Sequence, residues 1–426
     1  MRTPTKKLLA LALASSVALA ACGDDDEQPA SSGIPAEVEE TTTTEAADDG
    51  ATEGEAASTE TGAATLRAGL TSLLQEHVYL AGIVVETAVD AGGDMQAAPV
   101  QAAVATLDEN SVAIADAIGS VAGDDDREAF LEQWRGHIGF FVDYTLGTAT
   151  GDQAMIDQAL TDLDGYRQAA GAFFEEITGG ELPADAVESE LAMHVESLTA
   201  AIDAVVAGDT QAFSLLQDAA DHMDMTATAI AGAVVDALPD QFDGDVESAP
   251  AETRAVLTSL LQEHVYLAGI AIEQAVEAGG DLEAPAVAAA VAVLDENSVE
   301  IADVIGSVAG DDNREAFLEQ WRGHIGFFVD YTLGTATGDQ AMVEKALTDL
   351  DGYRQAAGAF FEEITGGELP AAAVESELDT HVTSLATAVD SLVAGDAAVF
   401  SQLREAAQHM PMTAGAIAAA VVAATS

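Results

Sequence analysis

Residues 66–238 recur at 253–425 with a constant offset of 187 and no insertion. This duplication constrains the fold more than any other feature of the chain. The run from Arg127 to Met155 reappears from Arg314 to Met342 without a change, so whatever the first copy folds into, the second does too. Identity between such recent copies says little about which residues matter. The joint at 239–252, PDQFDGDVESAPAE, is rich in Pro, Asp, Glu and Gly and reads as a short linker. Two domains are therefore expected, at 64–238 and 253–426, each within ordinary domain size.

An older repeat lies inside each copy. Asn110, Tyr166 and His222 are spaced by 56 and 56, and His77, His137 and His194 by 60 and 57. This spacing predicts three helical hairpins per copy. Ala and Leu dominate, and apolar residues fall at i, i+3, i+4 and i+7, as in Leu70, Leu73, His77, Leu80, Val84 and Ala88, the signature of a helix with one buried face. Breaks are expected at AGGD (91–94), AGDDD (122–126), TGD (150–152), TGGELP (178–183) and AGD (207–209). In several of them Gly ends one helix and Asp caps the next. The expected fold class is all-α: a six-helix bundle of three hairpins, present in tandem.

The chain ahead of the first copy has a different character. Arg2, Lys6 and Lys7 precede an apolar run from Leu8 to Ala21, as in a signal peptide, and the run is too short for a permanent span. It ends in Leu19-Ala20-Ala21-Cys22, which resembles a bacterial lipobox. A lipoprotein signal over 1–21, lipidation at Cys22 and extracytoplasmic attachment to the cell membrane are the expectations. Cys22 is the only cysteine, so no internal disulfide can form. Residues 23–63 hold thirteen acidic residues and no Lys or Arg. With the lipidated Cys22 they read as a disordered, self-repelling tether over 22–63. The net charge of −62 argues against nucleic acid and anionic lipid as partners. Its spread along the chain reads as adaptation to salt, with a broad cation-attracting surface as the alternative.

Each copy carries four histidines, His77, His137, His194 and His222, matched by His264, His324, His381 and His409. All lean toward the bundle interior on their helical stripes, where an unpartnered polar group costs roughly 1–3 kcal/mol. Each ring could be satisfied by a carbonyl or a nearby acid, such as Glu190 four residues before His194. Four inward histidines in one bundle also fit a metal site built from facing helices.

The stretch DHMDMT (221–226) returns as QHMPMT (408–413). His222 and Met225 are three apart and share a helix face, as do His409 and Met412. Imidazole and thioether together suit copper, Cu(I) above all, and the methionine counts against zinc. Met223 reads as core packing. Pro411 replaces Asp224 in the sixth helix, removes one backbone hydrogen bond and should kink the helix beside His409. The two sites should therefore differ in shape or affinity.

No Glu-x-x-His pair, His-Glu-x-x-His, Gly-x-Ser-x-Gly, phosphate-binding glycine loop or Cys-x-x-Cys-His is present, which removes the common catalytic and haem constellations. LLQEHVYLAG, EQWRGHIGFFVDYT and MHVESL…GD…HMDMT resemble a helical domain of exported proteins in Gram-positive bacteria that often carries the label copper amine oxidase. Enzymes of that name are β-rich and make a quinone cofactor from an Asn-Tyr-Asp/Glu motif. Here Asn110, Asn297 and Asn313 are followed by Ser, Ser and Arg. The motif is missing, the expected fold differs, and the resemblance implies copper binding without amine oxidation.

The leading expectation is thus a non-enzymatic lipoprotein whose copies each bind a metal ion, most plausibly copper, for buffering, sequestration or sensing. His222 with Met225, and His409 with Met412, form its centre. His77, His137 and His194, with His264, His324 and His381, are the completing ligands. The alternatives are an envelope spacer or interaction module with structural histidines, and a bundle binding a small organic ligand near Trp134 and Tyr144.

Overall fold

Glycine and aspartate end and restart the helices through hydrogen bonds that can be named. Gly151 adopts φ +71° after the third helix, and the next residue, Asp152, accepts from the amides of Ala154 and Met155. A left-handed residue that caps carbonyls, followed by a carboxylate that caps amides, turns the chain in two positions. The same device does not operate at 207–209. Gly208 is left-handed, but Asp209 only accepts from the Gln211 amide ahead of the next helix.

The structure, a computed structural model, describes residues 58–425, and the expected signal segment, Cys22 and most of the tether lie outside them. Within the described residues there are thirteen helices and no strand. The first copy consists of α1 (Gly62–Asp90), α2 (Ala98–Ala122), α3 (Asp124–Thr150), α4 (Gln153–Ile177), α5 (Ala184–Ala207) and α6 (Ala212–Ala237). The second consists of α7 (Ala249–Glu277), α8 (Pro285–Ala309), α9 (Asp311–Thr337), α10 (Gln340–Ile364), α11 (Ala371–Ala394), α12 (Val399–Gln408) and α13 (Met410–Thr425). The chain is all-α, and the five expected breaks fall between helices.

Helices α12 and α13 together match α6, which runs without interruption. The break falls at His409, two residues before Pro411, where the proline ring removes a donor and crowds the preceding turn. In the first copy the equivalent Asp224 ties α6 to α1, accepting from Thr71 Oγ1 at 3.0 Å and from Arg67 at 3.3 Å.

The first helix of each copy is its innermost. Around α1 pack α2, α5 and α6, and α7 is surrounded likewise by α8, α12 and α13. Glycine sets the closest approach. A Cβ on Gly82 would come within 2.6 Å of the Leu216 side chain, and one on Gly269 within 2.7 Å of Leu403. Gly62–Asp90, Ala249–Glu277 and Val399–Ala424 are long and apolar enough to cross a membrane by length and composition. Most of the apolar stretch in the first two, 83% and 89%, is buried inside the bundle.

The copies do not stand apart. Residues 58–425 belong to one compact unit, in which α1 packs along α7. Tyr79 and Tyr266 stack at 5.3 Å with planes 8° apart. Gln75 of the first copy donates to Ser259 Oγ at 2.7 Å and to Glu263 at 3.2 Å. Arg404 of the second copy pairs with buried Glu76 of the first. The 239–252 joint is also tied down. The Gly62 amide donates to Asp243 Oδ1 at 2.7 Å, and Arg67 to the Val246 carbonyl at 2.9 Å. Its last residues already belong to α7.

Candidate metal centre

Three helices bring three histidines together. His77 stands midway along α1, His137 on α3 and His194 on α5, each on the stripe that faces the core, and they are only 2%, 2% and 4% exposed. One ring nitrogen of each lies within 4.8 Å of the others. His77 and His137 oppose their Nε2 atoms at 3.4 Å. A tetrahedral metal with bonds of 2.0–2.1 Å sets its ligand nitrogens ~3.4 Å apart, so this edge of the triangle already has the spacing of a coordinated pair. His264, His324 and His381 of α7, α9 and α11 repeat the arrangement within the same 4.8 Å.

Aromatic rings hold the imidazoles in place. His137 stacks on Tyr166 at 4.6 Å and stands edge-on to Trp134 at 4.5 Å. His77 lies 4.7 Å from Trp134, and His194 5.9 Å from Phe141. Contacts of this kind fix ring orientation without supplying a polar partner. The Nδ1 atoms of all six triad histidines are buried and lack a hydrogen-bond partner. No acid satisfies these rings; their polar neighbours are one another and, for His137 and His324, the backbone carbonyls of Trp134 and Trp321.

Burial decides their charge. Removal from water pushes His77 down to about 3, with His194 adding repulsion. His194 falls to about 4 from burial and the nearby His222. His137 is pushed well below the usual range by burial, then His77 and His194, while the Trp134 carbonyl pulls weakly the other way. His324 and His381 fall to about 3 and about 4 for the same main reason. All are therefore neutral at pH 7, the form that binds metal. Converging nitrogens without a positive charge between them are poorly satisfied. Two buried histidine triads, each able to hold a metal ion, are what the arrangement provides.

The expected centre at His222 and Met225 is displaced. His222 lies outside the triad, with Nε2 3.3 Å from Glu190 Oε2, and His409 stands 2.9 Å from Glu377. Met225 is 58% exposed and Met412 63% exposed, so the thioethers face solvent and not the triads. Residues three apart on an α-helix differ by about 60° in direction, enough to put His222 at the packed edge and Met225 beyond it. Met223 is buried and lines the core. Glu190, expected as a partner of His194, faces His222 instead. Tyr144 donates its hydroxyl to Asp203 at 3.0 Å and does not line the cavity beside the first triad, whereas Trp134 does.

Beside the first triad lies a cavity of about 130 Å³, bounded by all three histidines, Trp134, Tyr166 and Glu190. Its counterpart in the second copy is about 40 Å³. Nothing in the sequence announces these voids, because each is shaped by six helices, most of them remote in sequence. Comparison of the chain with protein-family models, with curated proteins and with solved structures gave no match in any of the three.

Proposed function

We propose that this protein binds two transition-metal ions, one in each histidine triad, and that the metal is copper held as Cu(I), for buffering or sequestration outside the cytoplasm. The observation that supports the reading is the repeated convergence of three buried, neutral imidazoles whose Nδ1 atoms have no hydrogen-bond partner. Imidazole suits Zn, Cu, Fe and Ni, so the choice among them rests on charge. Three neutral ligands leave the ion's whole charge inside a dry core. The Born cost grows with the square of the charge, so a monovalent ion carries about a quarter of a divalent ion's penalty. The solvent-facing Met225 and Met412 no longer contribute to this argument. The overall charge of −62 favours accumulation of cations near the surface. Attachment through a lipidated Cys22 belongs to the same proposal and places the sites outside the cytoplasm.

The test is an anaerobic titration of the full chain with Cu(I) against a chromophoric chelator. Two equivalents are expected. His137→Ala with His324→Ala should abolish tight binding, each single change should remove one equivalent, and His222→Ala with His409→Ala should leave the stoichiometry at two. Loss of both equivalents in the His222/His409 variant alone would return the site to the HMDMT motif. Failure of wild type to bind beyond a generic acidic protein would leave the triads as unusual core.

A further inference from the structure

Every residue lining the second cavity has an equivalent of the same type lining the first, and yet the two differ threefold in volume, about 130 Å³ against about 40 Å³. The sixth helix, which walls both cavities, also differs between the copies. In the first copy Asp224 holds α6 through Thr71 and Arg67 of α1. In the second, Pro411 stands at that position and the helix breaks at His409. Arg254, equivalent to Arg67, turns to the Thr59 carbonyl at 2.7 Å, and the Thr258 hydroxyl, equivalent to Thr71, is left buried without a partner.

Hydrogen bonding at the cavity wall differs in the same sense. In the second copy Thr413 donates to Glu377 Oε2 at 3.4 Å. In the first, Glu190 Oε2 and Thr226 Oγ1 are buried and neither is hydrogen bonded, while His222 Nε2 and its equivalent His409 Nε2 lack a hydrogen-bond partner in both copies. Glu190 and His222 stand 3.3 Å apart without the alignment of a hydrogen bond. The first cavity therefore combines an apolar body, walled by Leu74, Trp134, Phe174 and Ile230, with unused acceptors at one side.

We infer that the first copy alone binds a small organic molecule in this cavity, one with an apolar body of single-ring size and one hydrogen-bond donor directed at Glu190. An apolar cavity of roughly 150 Å³ takes up benzene in another protein, so 130 Å³ suits one ring, whereas 40 Å³ holds little more than water. The duplication has thus separated the copies: the first has room for a guest, and the second has much less space beside its triad. This inference does not require a metal in either triad.

The two tryptophans, Trp134 and Trp321, report on the two cavities separately. The full ¹⁵N-labelled chain, kept metal-free with a chelator, would be titrated with phenol, and the two indole N–H signals assigned with Trp134→Phe. Phenol should move the Trp134 signal saturably and leave Trp321 in place. Benzene and the Glu190→Leu variant with phenol should each bind about tenfold more weakly, the loss of one hydrogen bond to a charged group. Pro411→Asp should reopen the second cavity and bring the Trp321 signal into the titration. Equal movement of both signals in wild type, or movement of neither, would overturn the inference.

Discussion

At the residue scale, the chemistry depends on which polar side chains were given partners and which were not. Arg67 is buried, and its two terminal nitrogens are answered by Asp224, Glu252 and the Val246 carbonyl. Arg67→Ala should destabilise the protein by about 3 kcal/mol, because it empties a buried site and strips the cation from the partly buried Asp224 carboxylate, and urea unfolding would read the loss as a lower midpoint. The triad histidines are the opposite case. They are equally buried and their Nδ1 atoms lack partners, an expense in folding that a bound cation would offset. Histidine on an inward stripe was legible in the sequence, but its partner was not, since Glu190 is near His194 in sequence and near His222 in space. Met225 shows the same limit, because sharing a helix face does not mean sharing a neighbour.

At the element scale, helix boundaries were legible because they are local. Gly151 and Asp152 act within a few residues of themselves. Asp152→Ala should cost about 1 kcal/mol through loss of the cap, seen as a drop in thermal midpoint, and Asp209→Ala should cost less, since Asp209 caps no helix. Pro411 was equally legible as an interruption, because the missing N–H is a property of the residue alone. What it did to the adjacent void was not legible. That depended on Asp224 reaching Arg67 and Thr71 across 157 and 153 residues of chain.

At the scale of the whole molecule, the copies meet along α1 and α7, and burial there sets a pH response. Glu86 is raised to about 7, mainly by burial, then by Asp90 and Glu277, against a hydrogen bond from Gln274 that lowers it. Glu273, at the equivalent position, is raised to about 8 by burial and then by Glu86, Glu277 and Asp90. Between about pH 4.5 and 8 the folded chain keeps protons that the unfolded chain has released, so these groups lower stability as pH rises through that window. Glu86→Gln with Glu273→Gln should raise the thermal midpoint at pH 8.5 and change it little at pH 4.5. The same interface holds Glu76 against Arg404, while the equivalent Glu263 faces Gln217 at 2.7 Å. Arg404→Met should cost 3–5 kcal/mol, the usual penalty for a charge left buried alone, measured by urea unfolding of the full chain.

By itself the sequence determined the all-α class, the two copies, six helical segments in each and the turns between them. Each of these follows from periodicity, caps and Gly or Pro positions within a few residues. Only the tertiary structure decided that His77, His137 and His194 converge while His222 stands aside, that the copies share one core, and that one cavity is about three times the volume of the other. Helical periodicity orients a side chain about its own axis. Convergence within 4.8 Å also needs the rotation and crossing of three separate helices, and those are set by packing contacts between residues far apart in the chain.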